Sequence, residues 1–397
     1  MSRIRPFINN ELIKVLTGFR RSGKSVMLDL IKQELIAQGV RRDQFISYNF
    51  EQMKYAHLLD AQVLYDDLQE RISHIDGEAY LFFDEIQEVE QWERCINSCR
   101  VDFDCDIYVT GSNAHLLSSE LATYLAGRYV EFDIYPFSFA EFLDALAQSG
   151  NPMSETEAFR KYVMLGGMPF LSRMVDDEDS SLQYLNDIYS SVVLKDIIAR
   201  NNIRDVDLLE RIIMYVLANV GHTFSGNTIA KYFKSEGRSV SRETVLNYVN
   251  ACCDAFLLYK VKREDLVGKK ILSVNEKYYV VDHALREAVY GYNERDIDQT
   301  LENIVYMELL RRGYTVTIGK AGQQEIDFVA AKNKQKIYVQ VTYLLASEET
   351  AQREFGAFQP IADNFPRYVV SMDEFDMSRN GIKHKNIRDF LLMKSYE

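Results

Sequence analysis

Between a short apolar segment, Leu12 to Thr17, and a stretch with helical apolar spacing, Val26 to Gln38, lies the run Gly18-Phe-Arg-Arg-Ser-Gly23-Lys24-Ser25. Strand, glycine loop, helix is the order in which G-x-x-x-x-G-K-[ST] acts as a phosphate cradle instead of an ordinary turn with a solvated lysine. Gly18 and Gly23 permit backbone angles that aim amide N–H groups at an anion, beside the positive end of the helix. Lys24 is expected to reach the outer phosphates of ATP, and the Ser25 hydroxyl to ligate Mg2+. The expected nucleotide contacts are Gly18, Arg20, Arg21, Ser22, Gly23, Lys24, Ser25 and Val26.

About sixty residues on, Tyr80-Leu-Phe-Phe-Asp84-Glu85 is an apolar run ending in two carboxylates. A run without alternation suits a strand buried on both faces of a parallel sheet. The carboxyl end of such a strand is where open α/β sheets bind ligands. Asp84 is expected to hold Mg2+ through water, and Glu85 to polarise the attacking water. Taken alone the run is equally a strand with an acidic turn; beside the phosphate loop the metal reading leads. Phe45 to Phe50 supplies another strand, and Asp106 to Thr110 a further one that ends in Gly111-Ser112-Asn113. A polar group there can sit between the γ-phosphate and water, and either Asn113 or Ser112 can fill that place. Gly-Ser-Asn is also ordinary turn chemistry.

At 397 residues, with 47% hydrophobic and 26% charged residues, the chain is read as several soluble domains. Only 6 prolines and 19 glycines argue against long flexible linkers. A net charge of −13 argues against a protein that coats nucleic acid non-specifically, though not against a local basic face. Met1 to Asn10 carries no apolar run, and no stretch is apolar enough to span a membrane, so a cytoplasmic location is expected. The 5 cysteines suit a reducing compartment. Cys95 and Cys99 can share a helix face, but no second Cys/His pair lies nearby to complete a zinc site.

The chain resembles the bacterial and archaeal AAA-type ATPases that end in an uncharacterised, restriction-endonuclease-like domain. The resemblance runs in order through GFRRSGKS (18–25), FFDEIQ (82–87), TGSNAHLLS (110–118), LAGRYVEFDIYPFSFAEF (125–142) and LGGMPF (165–170). It continues through VVLKDIIARNNI (192–203), KYYVVDHALREAV (277–289), ENIVYMELLRRGY (302–314) and EIDFVA (325–330). It implies an α/β fold: a P-loop NTPase with an AAA-type parallel sheet and helices on both faces over 1–145. A helical lid over 146–204 would follow, then a winged helix over 205–270 and a smaller α/β domain over 271–397. Arg128 falls where related ATPases place an arginine that reaches a nucleotide, in some cases that of a neighbouring subunit; a surface salt bridge is the alternative. A homo-oligomer in the ATP-bound state is expected on the same ground.

In 205–270, Leu208–Val220, Asn227–Phe233 and Arg242–Phe256 have helical patterns, with Leu257–Lys262 leading into a wing. A DNA-reading module needs its second helix in the major groove and cations along its edges. Arg238, Arg242, Lys260, Lys262 and Arg263, with Lys269 and Lys270, could supply them; winged helices also serve in protein packing. In the last segment a restriction-type nuclease needs a carboxylate on one strand and E-x-K on the next. Glu308 on a helix, Asp327 on a strand and Gln340 on the next would form a vestigial site, because Thr342 stands where the lysine should be. An inactive nuclease-like fold is therefore expected. The leading function is an ATP-driven switch or motor acting on DNA; the alternatives are nucleotide-dependent protein assembly and an ATP-regulated, metal-dependent nuclease.

Overall fold

The computed structural model describes residues 1–114, 125, 127–266, 268, 270–291 and 296–396. The part of the 110–118 run beyond Ala114, Ala126 and Lys269 lie outside the described residues. Two compact units emerge, Met1–Tyr135 with Asp254–Phe256, and Pro136–Cys253 with Leu257–Glu397. The first therefore ends ten residues short of the expected boundary at 145.

The first unit is built on strands β1 (Ile13–Thr17), β2 (Phe45–Asn49), β3 (Ala79–Asp84), β4 (Cys105–Gly111) and β5 (Tyr129–Asp133). They form one sheet in the order β2-β3-β4-β1-β5, and every pairing is parallel. Helix α1 (Lys24–Ala37) packs on one face, with Leu28, Ile31 and Leu35 against Leu16, Phe82 and Tyr108. Helices α2 (Ala61–Ile72) and α3 (Trp92–Asp102) cover the other. There Leu64, Leu68, Trp92, Ile96 and Cys99 share a core with Val15, Phe83 and Val109. Consecutive strand residues point to opposite faces, and here both faces are buried, hence the unalternated runs. Cys95 and Cys99 do share a helix face, but they spend it on this core. Lys14 on β1 is fully buried and ion-paired to Asp106 on β4, whose carboxylate also accepts from the Tyr108 hydroxyl at 2.6 Å and Asn9 N at 2.9 Å. Those extra donors satisfy a pair that would otherwise be expensive to desolvate.

The second unit opens with α4 (Phe139–Gln148), α5 (Glu155–Leu165) and α6 (Glu178–Ser191), the last running on into π-helical turns over Val192–Ala199. The LGGMPF run is structural: Gly166 has φ +73°, and a Cβ there would lie 1.9 Å from Asp282 Oδ1. Gly167 N donates to Asp282 Oδ2 at 2.7 Å, while Asp282 also caps α10 (His283–Tyr290) through Ala284 N. Helices α7 (Val206–Ala218), α8 (Gly226–Ser235) and α9 (Arg242–Asp254) follow the expected three-helix rhythm. Asp205, Ser225 and Ser241 each accept a helix N-terminal amide.

The expected wing is not a free hairpin. Strand β6 (Leu258–Asp265) pairs antiparallel with β7 (Lys270–Val280) and, on its other edge, parallel with β8 (Thr315–Ala321). With β9 (Gln324–Lys332), β10 (Gln335–Val341), β11 (Arg367–Ser371) and β12 (Lys383–Asn386), they form one seven-stranded sheet ordered β12-β11-β10-β9-β8-β6-β7. An unpaired edge exposes backbone donors and acceptors, and β8 satisfies them. The expected boundary at 270/271 accordingly falls inside a sheet. Helix α11 (Ile297–Arg311) is stitched to β7 by Asn303, which accepts from Val280 N at 2.8 Å and donates to Val280 O at 2.9 Å.

Candidate functional site

The glycine loop joins β1 to α1 at the carboxyl end of the first sheet. Gly18 has φ +142°, and a Cβ there would sit 2.2 Å from Ile134 O, so this position admits only glycine. Gly23 turns the chain at φ +106° and Arg21 at φ +67°. Lys24 is 4% exposed and folds back along the loop, donating to Gly18 O at 3.0 Å and Phe19 O at 3.1 Å. Ser22 is buried and its hydroxyl lacks a hydrogen-bond partner among the described residues. An orphaned hydroxyl in a loop of amides is a ready donor to an anion. Arg20 is held by Glu51 at 2.8 Å, and Val26 is exposed on the first turn of α1.

At the ends of β3 and β4 the expected carboxylates meet this loop. Asp84 is buried; its Oδ1 accepts from the Thr110 hydroxyl at 2.6 Å and its Oδ2 from Asn49 Nδ2 at 2.8 Å, and Ser25 lines the same cavity. Burial pushes the Asp84 carboxyl above its ordinary range despite those hydrogen bonds. Ser25 and Asp84 together form the hard oxygen pair that suits Mg2+.

Glu85 takes a left-handed backbone, φ 54° and ψ 50°, an uncommon conformation for a residue with a side chain. Its N–H donates to Thr110 Oγ1 at 2.9 Å. Its Oε2 accepts from Ser112 Oγ at 2.9 Å and from Gln87 Nε2, and its Oε1 faces Lys24 Nζ at 3.7 Å. Burial raises the Glu85 carboxyl, but Lys24, Gln87 and Ser112 outweigh it and hold the group below its usual range. Of the two sensor candidates, Ser112 makes this contact; Asn113 is buried beside it. Arg128 is exposed and donates to Asn97 Oδ1 at 3.0 Å.

Asn49, Thr110 and Gln87 were missed from sequence as site residues. Each stands at a strand end or one turn beyond, and strand register brings them in: Asn49 lies opposite Asp84.

The expected basic face is largely paired internally. Arg238 bonds Asp205 and Asp207, Lys260 lies 2.9 Å from Glu276, and Arg263 is paired with Glu325. Arg242 stands at the start of α9 and Lys262 is exposed on β6.

Asp327 and Gln340 line one cavity of roughly 530 Å³ in the second sheet. Asp327 N donates to Gln340 Oε1 at 3.2 Å, and Val341 N to Asp327 Oδ2 at 2.8 Å. Glu308 does not belong there. It is ion-paired to Arg311 at the end of its own helix and to Arg312 just beyond, and Glu302, six residues earlier, faces the cavity instead. A separation of six turns a helix by about 600°, which places the two on different faces. Sequence reading also missed Lys277, 3.3 Å from Glu302 and 2.9 Å from Glu325. Burial lowers the Lys277 ammonium, but Glu302, Asp327 and Glu325 raise it well beyond that. Among the described residues no group of three or more His, Cys, Asp or Glu side chains could hold a metal ion, and none of the helices is long and apolar enough to cross a membrane.

Residues 10–143 match the family model described as an AAA domain, and residues 156–296 match one described as a domain of unknown function (DUF8612). An uncharacterized protein of Haemophilus influenzae is 37% identical over 393 residues, spanning 99% of this chain and 97% of its own length. The uncharacterized protein MJ1544 of Methanocaldococcus jannaschii is 30% identical over 396 residues, spanning 95% of this chain and 85% of its own length. Among solved structures, the Aeropyrum pernix ORC1 protein in complex with DNA overlaps 72% of this chain and 89% of its own, at 12% identity and a TM-score of 0.33. An overlap that low carries no functional argument.

Proposed function

Because the chain belongs, with these bacterial and archaeal relatives, to a family of proteins carrying an AAA domain, we propose that it binds ATP with Mg2+ and hydrolyses it as a nucleotide-driven switch. The observation that carries this reading is the meeting of Lys24, Ser25, Asp84, Glu85 and Ser112 at the carboxyl ends of β1, β3 and β4. Loop amides and the Ser22 hydroxyl bind phosphate, and Lys24 swings from its carbonyl partners to the outer phosphates. Ser25 and Asp84 would hold Mg2+, which when bound neutralises charge on the phosphate oxygens. Glu85 accepts a proton from the attacking water. Arg128, exposed on this unit, is suited to reach a nucleotide in a second copy within a homo-oligomer.

For the target, the ion pairs at Arg238, Lys260 and Arg263 and the net charge of −13 support a protein partner over DNA. In the second sheet, Lys277 already serves as counter-ion to Glu302 and Glu325, Lys336 of β10 is paired with Glu264, and Thr342 lines the cavity where a nuclease would carry its lysine. Those residues do not fit a metal, so the cavity supports a binding or assembly role without cleavage.

The test is ATP hydrolysis with Mg2+, alone and with single-stranded or duplex DNA, using Lys24→Ala as the blank. Hydrolysis indifferent to DNA is the expected result; stimulation by DNA would return the target to nucleic acid, and no hydrolysis above the blank would remove the ATPase reading. Nicking of DNA under Mg2+ or Mn2+ that Asp327→Ala abolishes would overturn the non-cleaving assignment.

A further inference from the structure

The run Phe82-Phe-Asp-Glu-Ile-Gln87 ends in a residue that the proposed hydrolysis leaves without a role. Gln87 lies in the 3-10 turn Ile86–Glu88 that follows β3. The left-handed backbone at Glu85 folds the chain so that the side chains of Glu85 and Gln87 meet. We propose that Gln87 is the positioning residue of the hydrolytic base. It fixes the Glu85 carboxylate through Oε2 and so makes Oε1 the atom that takes the proton.

Two donors converge on one oxygen of this carboxylate: Gln87 Nε2 and Ser112 Oγ both bond to Oε2. Two bonds fill the acceptor capacity of one carboxylate oxygen, about two lone-pair sites. Oε1 accepts neither; it faces Lys24 Nζ at 3.7 Å, an ion-pair separation too long for a hydrogen bond. Once Lys24 turns to phosphate, Oε1 is the oxygen left for water. Ser112 approaches from the end of β4 and Gln87 from the turn after β3, so the carboxylate is fixed from two elements. Gln87 is used at one end only, for its own Oε1 is buried without a hydrogen-bond partner among the described residues. Burying an amide oxygen unmet is a cost that a glutamine serving packing alone would not sustain.

The chemical step balances without further reagents. An O–H bond of water breaks as its oxygen bonds to the γ-phosphorus, the bond from that phosphorus to the bridging oxygen breaks to release ADP, and the proton goes to Glu85 Oε1.

This inference rests on the ATPase reading, and the following comparison separates the two. Full-length wild type, Gln87→Met, Gln87→Glu and Glu85→Gln are compared for kcat, KM and equilibrium ATP affinity, and the nucleotide-free Gln87→Met protein is crystallised. Methionine keeps the length and loses the donor; glutamate reverses it into a repelling acceptor. The expected result is a kcat reduced about 10- to 100-fold in both Gln87 variants, with KM and ATP affinity within about twofold. In the Gln87→Met crystal the Glu85 carboxylate should leave the Ser112 hydroxyl. A wild-type kcat in Gln87→Met, a parallel loss of ATP affinity, or a Glu85 side chain unmoved in the crystal would each overturn the proposal. If Gln87→Met fails to fold, Gln87→Glu decides by the same split between kcat and KM. Hydrolysis by wild type with no change in the variants sinks this inference alone. No hydrolysis by wild type sinks the ATPase reading, and the crystal still reports whether Gln87 holds Glu85.

Discussion

Asp84 and Glu85 are chain neighbours whose surroundings drive their acidities apart. Asp84 is buried and its carboxyl is raised; Glu85 is buried too, yet Lys24, Gln87 and Ser112 hold it low. Metal binding needs Asp84 ionised. As pH falls through its raised pKa, protons should displace Mg2+ while Glu85 is still charged. The acid limb of hydrolysis should therefore move to lower pH when Mg2+ is increased about tenfold, as expected of competition between proton and metal for one carboxylate. A limb that ignores Mg2+ would place the limiting protonation at Glu85. The contribution of Glu85 itself is expected to be large: Glu85→Gln should lower kcat by about 100-fold or more and leave ATP binding intact, checked by rapid-mix hydrolysis and by equilibrium binding. Lys24 and Ser25, and Asp84 and Glu85, could be proposed from the sequence because each pair belongs to a local run whose spacing carries its chemistry. Asn49, Thr110 and Lys277 could not, because their chemistry depends on which strand lies beside which, and Glu302 was passed over for Glu308 because both fit a helix and only packing selects the face.

At the scale of elements, β5 presses its end onto the glycine loop: Ile134 N donates to Thr17 O at 2.7 Å, and its carbonyl occupies the space that a side chain at 18 would need. Gly18→Ala should destabilise the first unit by about 2–4 kcal/mol, through backbone strain and overpacking together, and abolish ATP binding. Chemical denaturation and a nucleotide-binding titration check the two effects. Helix α11 offers the counterpart in the second unit. Asn303→Leu keeps the volume but orphans both Val280 N–H and Val280 C=O. At about 1–3 kcal/mol for each buried group, urea denaturation should show a loss of roughly 2–5 kcal/mol. The strands and helices themselves were readable from apolar spacing and caps, and Ser241 does cap the helix expected to start beside it. What spacing could not reveal was the partner of β6, because a parallel pairing with β8 joins residues more than fifty positions apart, Arg263 opposite Ile318.

At the scale of the molecule, that pairing determines where the chain can be cut. A fragment of residues 271–397 lacks β6, so β8 loses a neighbour and β7 loses its link to the sheet. It should be unfolded or aggregated, whereas residues 136–397 should fold, as judged by circular dichroism and gel filtration. Assembly has its own test. If Arg128 serves a nucleotide in a second copy, inactive Arg128→Ala mixed with Lys24→Ala should recover part of the activity; no recovery would mean that it acts within its own subunit. The chain also holds a single tryptophan, Trp92, buried in the core of the first unit. Its emission is thus a built-in optical label for the first unit alone. In a melting experiment fluorescence will follow the first unit alone while far-ultraviolet ellipticity follows both, so a gap between the two curves would measure directly how independently the two units come apart.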